Sequence, residues 1–247
     1  MMQQNVQDPI TILVIAAHPD DIEFGVAGSV ARWIAEGHRV VYCLITDGAA
    51  GSNEPGADLV LLATTRRAEQ QAAAGVLGVS AVHFLGYPDG VLQPDLQLRR
   101  ELTRLIRTVR PQRLVCQDPS TLFVGSSYIN HPDHRAAGEA AIYALFPSAE
   151  TRPIFPELLD EGLEPHRVRE LYLTLTLHPD TSIDITPFIE QKIAALLCHR
   201  SQVSEQDGEW VRQWDAEYGV KAGTPFAEGF RVLHFGEHEP STESGSV

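Results

Sequence analysis

Ile10-Thr11-Ile12-Leu13-Val14-Ile15-Ala16-Ala17-His18-Pro19-Asp20-Asp21 reads as a buried strand that runs directly into an imidazole and two adjacent carboxylates. An unbroken apolar run rich in β-branched residues suits a strand covered on both faces, as in a parallel sheet. Loops at the carboxyl ends of such strands are where open α/β sheets build their sites. Far downstream lies a related tetrapeptide, His131-Pro132-Asp133-His134. Together the two offer enough borderline ligands for a metal centre, with carboxylate and imidazole left over for proton transfer.

Outward from that strand, the chain alternates. Ile22, Val26, Val30, Trp33 and Ile34 recur at helical spacing up to Gly37, and Arg39 to Ile45 reads as a second strand. Residues 46–55 have loop composition, with two glycines, Asn53 and Pro55. A helix over 59–77, a strand over 81–85, a helix over 96–109 and a strand over 113–116 follow. Residues 117–130 form a long polar loop before a helix over 132–145. This order predicts an α/β fold, a Rossmann-like three-layer domain with a mostly parallel sheet and helices on both faces.

Beyond it the pattern loosens. Four prolines mark an irregular excursion at about 147–166, a strand is expected over 171–177, a helix over 188–199 and a polar helix over 210–218. The reading is one domain over 1–236 and a disordered tail over 237–247.

Composition narrows the function. A formal charge of −14 argues against a nucleic-acid partner and against anionic membrane surfaces. Cys43, Cys116 and Cys198 are an odd set without CxxC spacing, so neither a disulfide framework nor a thiolate zinc site is indicated. No basic region and long apolar core open the chain, and no apolar run approaches membrane-spanning length. The expectation is a soluble, cytoplasmic protein.

In each tetrapeptide the first and last members stand three apart, and Pro19 and Pro132 should each open a helix as its first residue. Residues so spaced across a first turn face one centre. Zinc in a hydrolase takes three His or carboxylate ligands and keeps a position for water. Spacing therefore nominates His18, Asp21 and either His131 or His134 as ligands. Asp20 is left as a general base, and the remaining histidine is left to stabilise an oxyanion or protonate a leaving group. A lone His-Pro-Asp often does no more than cap a helix, and His178-Pro179-Asp180, followed by Thr181, is read as a turn or cap.

Ala17-His18-Pro19-Asp20-Asp21-Ile22-Glu23 with Asn130-His131-Pro132-Asp133-His134-Arg135 resembles the LmbE-like, or PIG-L, family of zinc-dependent N-deacetylases. Further similar segments are Arg66-Arg67-Ala68-Glu69, Phe84-Leu85-Gly86-Tyr87-Pro88-Asp89-Gly90, His199-Arg200-Ser201-Gln202 and Glu228-Gly229-Phe230, so the resemblance spans about 10–235. It implies His18, Asp21 and His134 as ligands of Zn2+ or another divalent transition metal, Asp20 as base, protonated His131 as oxyanion stabiliser oriented by Asp133, and Arg66 as a substrate contact. The mobile tyrosine that some relatives place two residues before the first histidine of the second tetrapeptide is Ile129 here, with Tyr128 beside it.

The implied reaction is metal-assisted removal of acetyl from an N-acetylglucosamine-type sugar or sugar conjugate, a small-molecule substrate. Amidases that cleave thiol-sugar conjugates belong to the same family. Many relatives are trimers or hexamers, which leaves homo-oligomerisation open. A nucleotide-binding Rossmann protein is a poor alternative, since His-Pro-Asp-Asp stands where G-x-G-x-x-G would follow the first strand. Glu23 reads equally as a support behind the metal ligands or as a first-turn acid satisfying the helix end. His199 is the histidine outside the tetrapeptides least easily set aside.

Overall fold

Strand β1 (Thr11–Ala16) is buried from Ile12 onward and lies inside a seven-stranded sheet. The structure, a computed structural model, describes residues 8–236. Alternate β1 side chains serve two cores. Leu13 and Ile15 pack with Leu98, Leu102 and Ile106 of α4 (Leu96–Val109) and with the alanines of α5 (Pro132–Tyr143). Ile12 and Val14 face α2 (Ala27–Ala35) and α3 (Leu59–Leu77) through Val30, Trp33, Ala73 and Leu77. A helix layer on each face is the three-layer arrangement expected.

The other strands are β2 (Arg39–Thr46), β3 (Ala81–Tyr87), β4 (Arg113–Gln117), β7 (Glu170–Thr174), β8 (Thr181–Asp184) and β9 (Ala227–His234), in the order β3-β2-β1-β4-β7-β9-β8. β1 pairs in parallel with β2 on one side and β4 on the other. The chain therefore winds outward in both directions from β1 and β4. Their carboxyl ends bound the crevice of a topological switch point, where α/β sheets take their ligands.

Several boundaries differ from expectation. The helix expected from Ile22 breaks at Val26 into α1 (Asp21–Gly25) and α2. The expected loop over 117–130 contains a two-residue hairpin, β5 (Phe123–Val124) with β6 (Tyr128–Ile129). α5 stops at Tyr143, and the chain leaves helical geometry at Phe146, before Pro147. Within the excursion lies only a single helical turn, α6 (Glu157–Asp160). The strand expected to reach Leu177 ends at Thr174, helix α7 is Ile189–Leu196, and the polar helix extends to α8 (Glu205–Ala222). The tail expected at 237–247 lies outside the described residues. No helix among those described is long and apolar enough to cross a membrane.

The antiparallel strands β8 and β9 were not foreseen, and a buried ion cluster holds them in place. Lys192 of α7 is wholly buried, its Nζ 2.8 Å from Glu228 Oε1 and 2.8 Å from Asp215 Oδ2. Glu228, at the start of β9, also accepts the Gly28 and Ser29 N–H groups at 3.0 and 2.7 Å, neutralising the amino end of α2. Removing one partner of a buried ionic set strands the other charges without water. Lys192→Met is expected to cost about 3–5 kcal/mol in urea unfolding; an unchanged midpoint would refute this role.

Candidate metal centre

The two tetrapeptides meet across the switch point, carried by the end of β1 and the start of α5. His131 is the N-cap of α5, Pro132 stands in its first turn, and His131 Nδ1 accepts the Asp133 N–H at 3.2 Å. Pro19 departs from the expected parallel. α1 begins at Asp21, and its N-cap is Asp20, held in the left-handed region at φ 99°. A non-glycine residue there costs on the order of 1–3 kcal/mol and persists only where its surroundings enforce it.

Asp21 stands between two imidazoles. Its Oδ2 is 3.2 Å from His18 Nδ1, and its Oδ1 is 3.0 Å from His134 Nε2. The outer nitrogen of each histidine is held from behind. His18 Nε2 is 3.0 Å from Asp89 and 3.3 Å from Asp133, while His134 Nδ1 is 3.1 Å from Asn130 Oδ1. Outer partners of this kind fix the tautomer and ring orientation of metal-bound histidines. His18, His131 and His134 also bring ligand atoms within 4.8 Å of one another, as do His18, Asp89 and Asp133.

The electrostatics suit a cation. Burial opposes charge on His18, yet Asp21, Asp133 and Asp89 together raise it to about 12. Burial also opposes charge on Asp21, and the two imidazoles still hold it well below the ordinary carboxylate range. A site that gathers positive charge onto an imidazole this strongly is matched to a divalent ion, and nitrogen with carboxylate is a zinc-type donor set.

His131 lies against both other histidines, its ring centroid 4.7 Å from that of His18 and 5.3 Å from that of His134. Burial and the neighbouring His18 and His134 lower its pKa, favouring the neutral ring. With Nδ1 accepting from the main chain, Nε2 is the ring nitrogen left to donate toward the centre. Asp133 meets His131 through its main-chain N–H. Its carboxylate is wholly buried on His18 and on the Gly90 and Leu92 N–H groups, at 2.7 and 3.1 Å.

Arg66, expected to contact substrate, lies buried beside Asp20. It is 5% exposed and donates to Gly48 O at 2.8 Å, Pro19 O at 2.6 Å and Asp20 Oδ2 at 3.0 Å. Gly48, at φ 68°, lies so close that a Cβ there would stand 2.9 Å from the guanidinium. Burial pushes the Asp20 carboxyl up to about 7 against the pull of Arg66.

Glu23 faces inward, fully buried, to His199 Nε2 at 3.1 Å and Gln70 Nε2 at 3.0 Å. Tyr128 is exposed on β6. Sequence reasoning assigned no role to Asp89, Asn130 or Gln70. Their signals were present: Asp89 sits in the Gly86–Gly90 turn, Asn130 directly precedes His131, and Gln70 lies one helical turn beyond Arg66.

A family model described as PIG-L, GlcNAc-PI de-N-acetylase, matches residues 13–145. The chain is 32% identical over 230 residues to a diacetylchitobiose deacetylase of Thermococcus kodakarensis, covering 90% of this chain and 82% of the relative. It is 26% identical over 210 residues to a probable N-acetyl-alpha-D-glucosaminyl L-malate deacetylase 2 of Bacillus anthracis, covering 83% and 86%. Among solved structures it resembles N,N'-diacetylchitobiose deacetylase from Pyrococcus horikoshii, with a TM-score of 0.85 and 31% identity over 95% of this chain and 87% of that one. With its paired tetrapeptides facing each other across the switch point of the matching fold, the chain belongs to the PIG-L family.

Proposed function

We propose that this protein is a zinc-dependent hydrolase that removes the acetyl group from an N-acetylglucosamine-type sugar, with His18, Asp21 and His134 as the metal ligands. The observation that carries the reading is Asp21, seated between His18 Nδ1 and His134 Nε2 with both rings buttressed from behind. The compared relatives are named as deacetylases, which supports deacetylation over cleavage of a thiol conjugate. Arg66 faces protein oxygens, and Asp20, Asp21 and Asp89 line the centre, which favours an uncharged sugar such as a chitooligosaccharide. The three free cysteines fit a reducing, cytoplasmic setting.

When bound, zinc supplies polarisation of the acetyl carbonyl and a water acidic enough to ionise near neutral pH. Asp20 accepts the proton of the attacking water and returns it to the departing amine. Its elevated pKa suits both directions of transfer at neutral pH. Arg66 fixes the Asp20 carboxylate. The neutral His131 ring donates from Nε2 to the oxygen on which negative charge develops. Asp89 and Asp133 keep His18 turned toward Asp21. Acetate and a free amine leave.

The reading is tested by acetate release from N,N'-diacetylchitobiose and a panel of N-acetylated sugars. Chelation should abolish release and zinc restore it; release that survives complete metal removal refutes the metal role. Asp20→Asn should keep stoichiometric zinc while kcat falls about 10²–10⁴-fold, and near-normal turnover at saturating zinc would refute the base. His134→Ala should lose the metal, whereas His131→Ala should keep it and lose about 10²–10³-fold in kcat. The reverse pattern would exchange their roles.

A further inference from the structure

The peptide unit joining Pro19 to Asp20 is gripped on both edges by one face of α3. Its carbonyl accepts from Arg66 Nη2 at 2.6 Å, and its N–H donates to Gln70 Oε1 at 3.1 Å. In a trans peptide these groups point in opposite directions. Two residues one turn apart on a helix are spaced to bracket them. Asp20, on the carboxyl side of this peptide, has a left-handed φ of 99°.

Gln70 can serve as the acceptor only if its amide is oriented correctly, and Glu23 ensures that. Gln70 Nε2 lies 3.0 and 3.1 Å from the two Glu23 oxygens, so the amide nitrogen faces the carboxylate and its oxygen faces Asp20. Glu23 is in turn held by His199 Nε2 at 3.1 Å, from the turn after α7. Glu23, Gln70 and His199 are all 0% exposed. A flipped amide would set an oxygen against a buried carboxylate and an N–H group against the Asp20 N–H, which a dry site does not tolerate.

We infer that Gln70, backed by Glu23 and His199, is a positioning residue that holds the general base Asp20 in its strained conformation. The inference rests on the assignment of Asp20 as base. A misplacement of about 1 Å at a reacting group can cost about 10²-fold in rate. Simple mechanical support between α1, α3 and α7 would instead lower stability or metal content and leave the base alone.

A double-mutant cycle separates these, using full-length protein loaded with zinc and acetate release as the readout. Gln70→Leu should lower kcat about 10²-fold, with KM and zinc stoichiometry unchanged. In an Asp20→Asn background the same change should have almost no further effect, because the base it positions is gone. Gln70→Asn keeps the amide but is one methylene too short to span Glu23 and the Asp20 N–H, and carries the same expectation if the leucine variant does not fold. His199→Gln, which retains an N–H for Glu23, should keep more kcat than His199→Leu. A loss that multiplies fully in the Asp20→Asn background, or that follows zinc content, overturns the proposal. Near-normal turnover by Asp20→Asn alone would identify the base assignment as the part that failed.

Discussion

Three carboxylates and an imidazole share one buried place, and such a group is stable only around positive charge. Asp21, Asp89 and Asp133 come from the start of α1, the loop after β3 and the first turn of α5, and all three reach His18. Leaving that much negative charge in a low-dielectric setting without a cation would cost several kcal/mol per ion. The centre therefore ties three loops of the sheet's carboxyl edge to a common electrostatic requirement. The metal proposed for this centre would meet that requirement and draw the edge together.

Two buried ionic sets divide the work. One is the centre itself. The other, Lys192 with Asp215 and Glu228, ties α7, α8 and β9 to the amino end of α2. The second holds the scaffold, and the first is the proposed place of reaction.

Much of this was legible in the sequence where the information is local. β1, β2 and β4 are near-continuous apolar runs bounded by glycine, proline or polar residues, and they fell within a residue or two of their place. The tetrapeptides were legible because the chemistry of His-x-x-Asp and His-x-x-His does not depend on distant residues. What was missed depends on tertiary partners. β9 carries Glu228 in a buried position that only Lys192 makes tolerable, so its composition does not look like a strand. The burial of Arg66 against the Gly48 carbonyl and Asp20 shows only once those groups are brought to it. Glu23 and His199, 176 positions apart, become a pair only once α7 has docked.

The left-handed backbone at Asp20 also narrows what evolution can place there. Glycine, asparagine and aspartate enter that region with least strain, and among them only aspartate could serve as the proposed base. A glutamate would keep the acid, but its longer side chain would swing it past the position Arg66 defines and lacks the local affinity of aspartate for this backbone. Backbone and the proposed chemistry thus favour the same residue.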